Sequence, residues 1–173
     1  MKKEEKTPGS LNNKTAAVCG LYCNACTLYI ATTEDAERLK MTAARFQLTE
    51  DEIKCYGCRS DKRFSPCEQC KMYRCASGRG IEFCGECADY PCEELTQFQS
   101  AMPHRRDLWD DLKTIKDKGC EAWLEIVRKR YTCPKCQCIN SAYDLKCRKC
   151  GEDPSCAYVA EHREAIEKLL SSR

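Results

Sequence analysis

The chain has 173 residues, a formal net charge of +2, 32% charged residues and eighteen cysteines. Leu, Ile, Val and Phe are sparse for that length, which excludes one large conventional core and leaves small units that need staples. A zinc ion held by four thiolates carries about −2, so three such sites would bring the total to about −4 and exclude a polycation.

Residues 1–16 open with lysines and glutamates followed by Pro8, Gly9 and Ser10, without the apolar stretch of a signal peptide. They read as a polar tail on a cytoplasmic protein. In that compartment thiols stay reduced, and paired cysteines bind metal rather than form disulfides. No apolar run reaches membrane-spanning length, so no membrane partner is expected.

Residues 17–102 read as a cysteine-rich metal-binding domain. Four pairs share the spacing Cys-x-x-Cys, namely Cys23/Cys26, Cys55/Cys58, Cys67/Cys70 and Cys84/Cys87, with Cys19, Cys75 and Cys92 set singly. Two intervening residues let the chain turn tightly enough for both sulfurs to meet one cation. These eleven thiols exceed the eight that two four-coordinate ions need and fall one short of twelve, and the reading taken is two zinc ions with three spare cysteines. The alternative is an iron-sulfur cluster at Cys19, Cys23 and Cys26, whose spacing matches the triad of radical enzymes. Against it, the chain is short for the barrel such enzymes build, and Ala25 stands where they carry an aromatic.

Thr33 is expected to cap a helix with Leu39, Ala43 and Phe46 on one side, and Thr49 with Glu52 reads as a capping box. From Arg59 to Cys92 the chain reads as loops with at most short helices, and Pro91 introduces a helix that runs to about Ala101. Residues 103–130 read as a helical hairpin. Leu108, Leu112 and Ile115 face inward from one arm, Trp123, Leu124 and Val127 from the other, and Gly119 separates the two.

Residues 131–156 carry Cys133-x-x-Cys136, ten residues, then Cys147-x-x-Cys150-Gly151, the spacing of a zinc ribbon with short β pairing. Gly151 supplies the left-handed backbone such turns need, whereas Gln137 stands where Gly is commoner in the first turn and counts against that turn's geometry. Cys138 reads as a bystander, while Cys156 and Cys120 read as small buried thiols. Residues 157–173 form a terminal helix with Val159, Ile166 and Leu169 on one stripe and a Glu164/Lys168 pair outside. His104 and His162 read as structural.

The runs CGLYCNAC, CYGCR, CxxCxxxxCA and FCGECADYPCEEL resemble a prokaryotic cysteine-rich family, domain of unknown function 3795. Some of its members end, like this chain, in a zinc ribbon behind a Trp-containing helix. The resemblance implies metal binding and carries no reaction or partner.

The fold class expected is therefore small, metal-stabilised α with irregular loops. No nucleophile-base pair and no phosphate-cradling glycine loop is recognisable, so the chain reads as a zinc-binding interaction module rather than an enzyme. Three zinc ions are expected, one in the ribbon and two in the N-terminal domain. The partner is expected to be protein. Nucleic acid is the further option, because Arg128, Lys129, Arg130, Lys135, Lys146, Arg148 and Lys149 outnumber Asp144 around the ribbon and Tyr131 and Tyr143 could stack on bases.

Overall fold

The computed structural model describes residues 13–172; most of the expected polar tail, residues 1–12, lies outside them. Nine α-helices carry the described chain: α1 Thr27–Thr33, α2 Ala36–Phe46, α3 Glu50–Ile53, α4 Ser65–Glu68, α5 Lys71–Arg79, α6 Glu93–Ser100, α7 Leu108–Lys118, α8 Cys120–Tyr131 and α9 Ala157–Ser171. Single 3-10 turns close Cys23–Ala25 and Cys84–Glu86.

The hairpin of α7 and α8 forms as the spacing predicts. Leu108, Leu112 and Ile115 face Trp123 and Val127, and all five are buried. Trp123 alone removes an aromatic area of about 200 Å² from water, among the largest single apolar contributions in so short a chain. The same core takes in Ala16–Cys19, Phe83 and Leu95 from the cysteine-rich segment and Tyr158, Val159 and Ile166 from α9. Gly20 explains part of that approach: at φ +87° it lies so close to α7 that a Cβ would stand 2.9 Å from the Leu112 Cγ.

Helix ends follow side-chain chemistry. Thr49 and Glu52 form the expected capping box on α3. The cap of α2 is Asp35, which accepts from the Arg38 N–H at 3.0 Å, and not Thr33, which ends α1. A carboxylate two residues nearer the apolar stripe is the better acceptor for those open N–H groups. Leu39 and Ala43 are buried as expected, whereas Phe46 is half exposed and only edges onto Phe64. On α9 the expected Glu164/Lys168 pair gives way to Arg163 with Glu167 at 3.3 Å.

No β-strand occurs among the described residues. The short β pairing expected in residues 131–156 reduces to one bridge, Thr132 with Ile139. The two cysteine turns take up the backbone groups that a ladder would use. Residues 131–156 are instead fastened to α1 and α2 by side chains: Arg38 donates to both Asp144 carboxylate oxygens at 3.2 and 3.0 Å, Arg148 pairs with Glu34, and Thr27 shares a hydrogen bond with Ser141. Arg38, Asp144 and Arg148 have side chains at most 18% exposed, so these contacts are shielded and worth more than open surface pairs.

Candidate metal centre

The C-terminal cysteines close on one point. In the first turn the Cys133 N–H donates to the Cys138 carbonyl (2.8 Å) and the Gln137 N–H to the Cys133 carbonyl (3.1 Å). The second turn repeats this, with Cys147 N–H to the Glu152 carbonyl (2.8 Å) and Gly151 N–H to the Cys147 carbonyl (2.9 Å). Both turns need a left-handed residue at the same place. Gly151 takes it at φ +75° and Gln137, despite its side chain, at φ +61°.

This brings the sulfurs of Cys133, Cys136, Cys147 and Cys150 within 4.8 Å of one another. Cys133 Sγ stands 3.6 Å from Cys150 Sγ, and Cys136 Sγ 3.5 Å from Cys147 Sγ. A disulfide needs about 2.0 Å, whereas the edge of a tetrahedron with metal-sulfur bonds of about 2.3 Å is about 3.8 Å. The four sulfurs therefore fit a four-coordinate soft cation. Their acidities agree. Burial raises the Cys147 thiol, yet the Cys150 and Lys149 N–H groups and the Cys136 and Cys133 sulfurs outweigh it and leave it below the ordinary value. Cys150 moves the other way: the Glu152 backbone lowers it, but burial and the three neighbouring sulfurs prevail and raise it. Crowded sulfurs that push two of their number in opposite directions are what a cation would relieve.

Asn140 holds the two turns together. It is fully buried; its N–H donates to the Tyr131 carbonyl (2.9 Å) and its amide to the Cys138 and Ser155 carbonyls (3.1 and 3.3 Å). Its Oδ1 accepts from the Arg148 N–H at 3.0 Å. Cys138 is buried against this frame, with its thiol on the Ile139 carbonyl (3.3 Å), and is not one of the four. Cys156 is buried at the start of α9, in contact with the Ser155 hydroxyl.

The eleven N-terminal cysteines form a looser network, in which no three sulfurs lie mutually within 4.8 Å. Three of the pairs turn as expected, the fourth-residue N–H donating to the first carbonyl: Cys26 to Cys23 (2.8 Å), Cys70 to Cys67 (3.3 Å) and Cys87 to Cys84 (3.2 Å). The Cys55/Cys58 pair opens at Gly57, whose φ of +107° and 2.5 Å Cβ approach to the Lys14 carbonyl admit no side chain. There the Cys58 N–H donates to the Cys23 sulfur at 3.3 Å, and elsewhere Arg79 Nη1 donates to the Cys87 sulfur at 3.1 Å. Burial, reinforced by neighbouring thiols, pushes Cys67 and Cys84 up to about 12. A bound cation would reverse both effects.

A second group of convergent side chains escaped the sequence. Asp107, Glu161 and His162 meet within 4.8 Å. Asp107 also faces Arg130 (3.2 Å), and Arg130 reaches the buried Asp111 (2.9 Å), which accepts from Trp123 Nε1 at 2.9 Å. The Arg130 guanidinium is shared between Asp107 and Asp111, so the group works as a polar brace between α7, α8 and α9. His162 sits in it on Asp107 (2.8 Å), and His104 meets the Tyr143 hydroxyl at 2.5 Å; both histidines have structural partners. The signal was available: Asp111 lies three residues after Leu108, on the inward face of α7.

The basic and aromatic set around the C-terminal turns is largely committed elsewhere. Tyr131 is buried and stacked between Tyr22 and Tyr158. Tyr143 is bound to His104, and Arg148 to Glu34 and the Ile139 carbonyl. Arg128 and Lys129 instead line a groove of about 770 Å³ with Glu125, Pro134 and Ala157.

Residues 15–97 match the model of a family described as protein of unknown function (DUF3795). Comparison with curated proteins and with solved structures gave no match. Among the described residues no helix is long and apolar enough to cross a membrane.

Proposed function

We propose that this chain, whose residues 15–97 match the DUF3795 family model, is a zinc-stapled interaction module that presents its surface to a protein partner. The observation that carries it is the closed group at Cys133, Cys136, Cys147 and Cys150. Four protein sulfurs, two of them buried, fill a tetrahedral shell and leave no position for water or substrate, so the ion supplies rigidity rather than reactivity. Zinc is the ion that such a shell suits without redox chemistry. Two further zinc ions would staple the N-terminal cysteines, whose lowered acidity and mutual repulsion a cation offsets.

Protein is preferred over nucleic acid because the tyrosines and Arg148 that would read single strands are spent inside the fold. Met41 and Phe46 are by contrast 66% and 50% exposed on α2, as suits an apolar contact. Two measurements test this on protein purified without oxygen. Metal analysis with an optical spectrum should give a colourless protein carrying zinc alone; a brown chromophore that bleaches on reduction would restore the iron-sulfur alternative at Cys19, Cys23 and Cys26. Fluorescence anisotropy with single-stranded DNA and RNA at low salt should show no binding; tight, salt-sensitive binding would overturn the choice of partner.

A further inference from the structure

We propose that the groove between the end of α8 and the start of α9 binds an extended segment of a partner protein in which acidic and apolar side chains alternate. This rests on the reading of the chain as a module that docks a protein, and it gives that partner a place and a chemistry.

Three parts of the chain build the groove. The end of α8 supplies Glu125, Arg128 and Lys129, and Thr132 follows directly after it. Pro134 and Gln137 come from the first cysteine turn, and Pro154 and Ala157 from the entry to α9. The enclosed space of about 770 Å³ falls within the size of ordinary binding clefts, about 300–1,000 Å³.

The apolar part of the lining is rigid before anything binds. Two prolines and an alanine have almost no rotamer freedom to lose. The Thr132 hydroxyl is committed to the Arg128 carbonyl at 2.7 Å, and the Gln137 amide nitrogen donates to the Pro134 carbonyl at 3.3 Å. Little ordering cost therefore stands against burying a partner's apolar side chains here.

The charges choose the occupant. Arg128 and Lys129 are exposed and, among the described residues, make no ion pair, whereas Arg130, Lys135 and Arg148 are held by Asp111, Glu152 and Glu34. Against these two cations the lining has a single carboxylate, Glu125, one turn back along α8. An anionic partner complements that rim. In an extended chain successive side chains point to opposite faces. An alternating segment can thus lay its apolar side chains on the prolines and Ala157 while the long Arg128 and Lys129 side chains reach its outward carboxylates. Single-stranded nucleic acid would meet the same cations but no ring to stack on, because none of the described residues that line the groove is aromatic.

Fluorescence anisotropy on the zinc-loaded full chain tests this with a labelled octapeptide of alternating Glu and Leu. The peptide should bind the parent, and R128E/K129E at least about tenfold more weakly. Replacing its Glu by Gln should cost as much. Ala157→Trp fills the floor without touching a charge and should also weaken binding about tenfold, while Glu125→Gln should tighten it a few-fold. All four substituted residues are exposed, so each variant should keep the zinc content and circular dichroism of the parent. K116E/K118E, at the end of α7, changes the net charge equally and should leave the affinity within about twofold. An equal loss there, or equal binding of the Gln peptide, would reduce the effect to general attraction or general stickiness and overturn the proposal. So would oligothymidylate that binds in place of the peptide and is expelled by Ala157→Trp, or a dimer of the chain that R128E/K129E dissociates. A parent that holds zinc but binds no peptide would overturn the groove and leave zinc stapling intact. One that binds the peptide but holds no zinc would overturn the stapling and support the groove.

Discussion

Gly151 and Gln137 occupy the same left-handed place in two copies of one turn, so exchanging their chemistry tests how the C-terminal centre is held. At Gly151 an added Cβ would meet nothing within 4 Å, so Gly151→Ala carries a purely conformational cost. Forcing an L-residue into that region costs about 1–2 kcal/mol. The stiffer unfolded chain returns about 0.4–1 kcal/mol. The net loss is about 1 kcal/mol. Gln137→Gly should act in reverse, relieving a side chain at φ +61° and forgoing only the exposed contact of Gln137 Nε2 with the Pro134 carbonyl (3.3 Å). Because the turn must close for the four sulfurs to converge, these energies reach metal affinity. Zinc should bind about fivefold more weakly to Gly151→Ala and a few-fold more tightly to Gln137→Gly. Competition with a chromophoric chelator on the full chain reads both. Equal affinity in Gly151→Ala and the parent, or shifts of the same sign in both variants, would refute the reasoning.

Cys147→Ser should release one zinc ion and unfold residues 131–156, whereas Cys138→Ser should leave the metal count unchanged; atomic emission on gel-filtered protein distinguishes them. Arg130→Met should destabilise the metal-loaded protein by about 2–4 kcal/mol, because it strands the buried Asp111 carboxylate, and the fluorescence of Trp123, bonded to that carboxylate, reports the unfolding in urea. A midpoint unmoved from that of the parent would show that the brace contributes nothing. Burial raises Tyr22 to about 12 and Tyr131 and Tyr158 above the ordinary value, so the fold favours their neutral forms. That stabilisation is complete below about pH 10 and is lost as pH rises through the folded values. Ultraviolet titration should therefore show a late tyrosine step coinciding with loss of helical circular dichroism, and smooth ionisation near pH 10 would contradict the burial.

The parts legible in the sequence were those governed by short-range spacing. Leu108, Leu112 and Ile115 marked the hairpin, Thr49 and Glu52 the capping box, and two Cys-x-x-Cys turns, the second followed by Gly151, the closed centre, while Gln137 spoke against the first turn and yet takes the same left-handed backbone. What escaped depends on contacts across long separations. Nothing near Arg148 announces that Glu34, 114 residues away, removes it from the basic surface. Tyr131 looked available for stacking because its partners, Tyr22 and Tyr158, lie far away in the chain. Cys-x-x-Cys spacing shows that two sulfurs can share an ion, but not where the turn's N–H will go, and at Cys58 it goes to the Cys23 sulfur.

The saturation of Asn140 gives the C-terminal centre a chemical memory. In the folded chain its amide is clamped between two carbonyls, and the Ser141 N–H that could attack it is held by Asp144 at 2.8 Å. Once metal is withdrawn and the turns open, that Asn-Ser step becomes an ordinary unfolded sequence, free to form the cyclic imide that ends as aspartate. An aspartate there would set a carboxylate against the carbonyls of Cys138 and Ser155, and the turns could no longer close around an ion. Metal loss would then be reversible at first and permanent after prolonged storage, with the irreversible fraction growing with time spent empty rather than with the number of cycles.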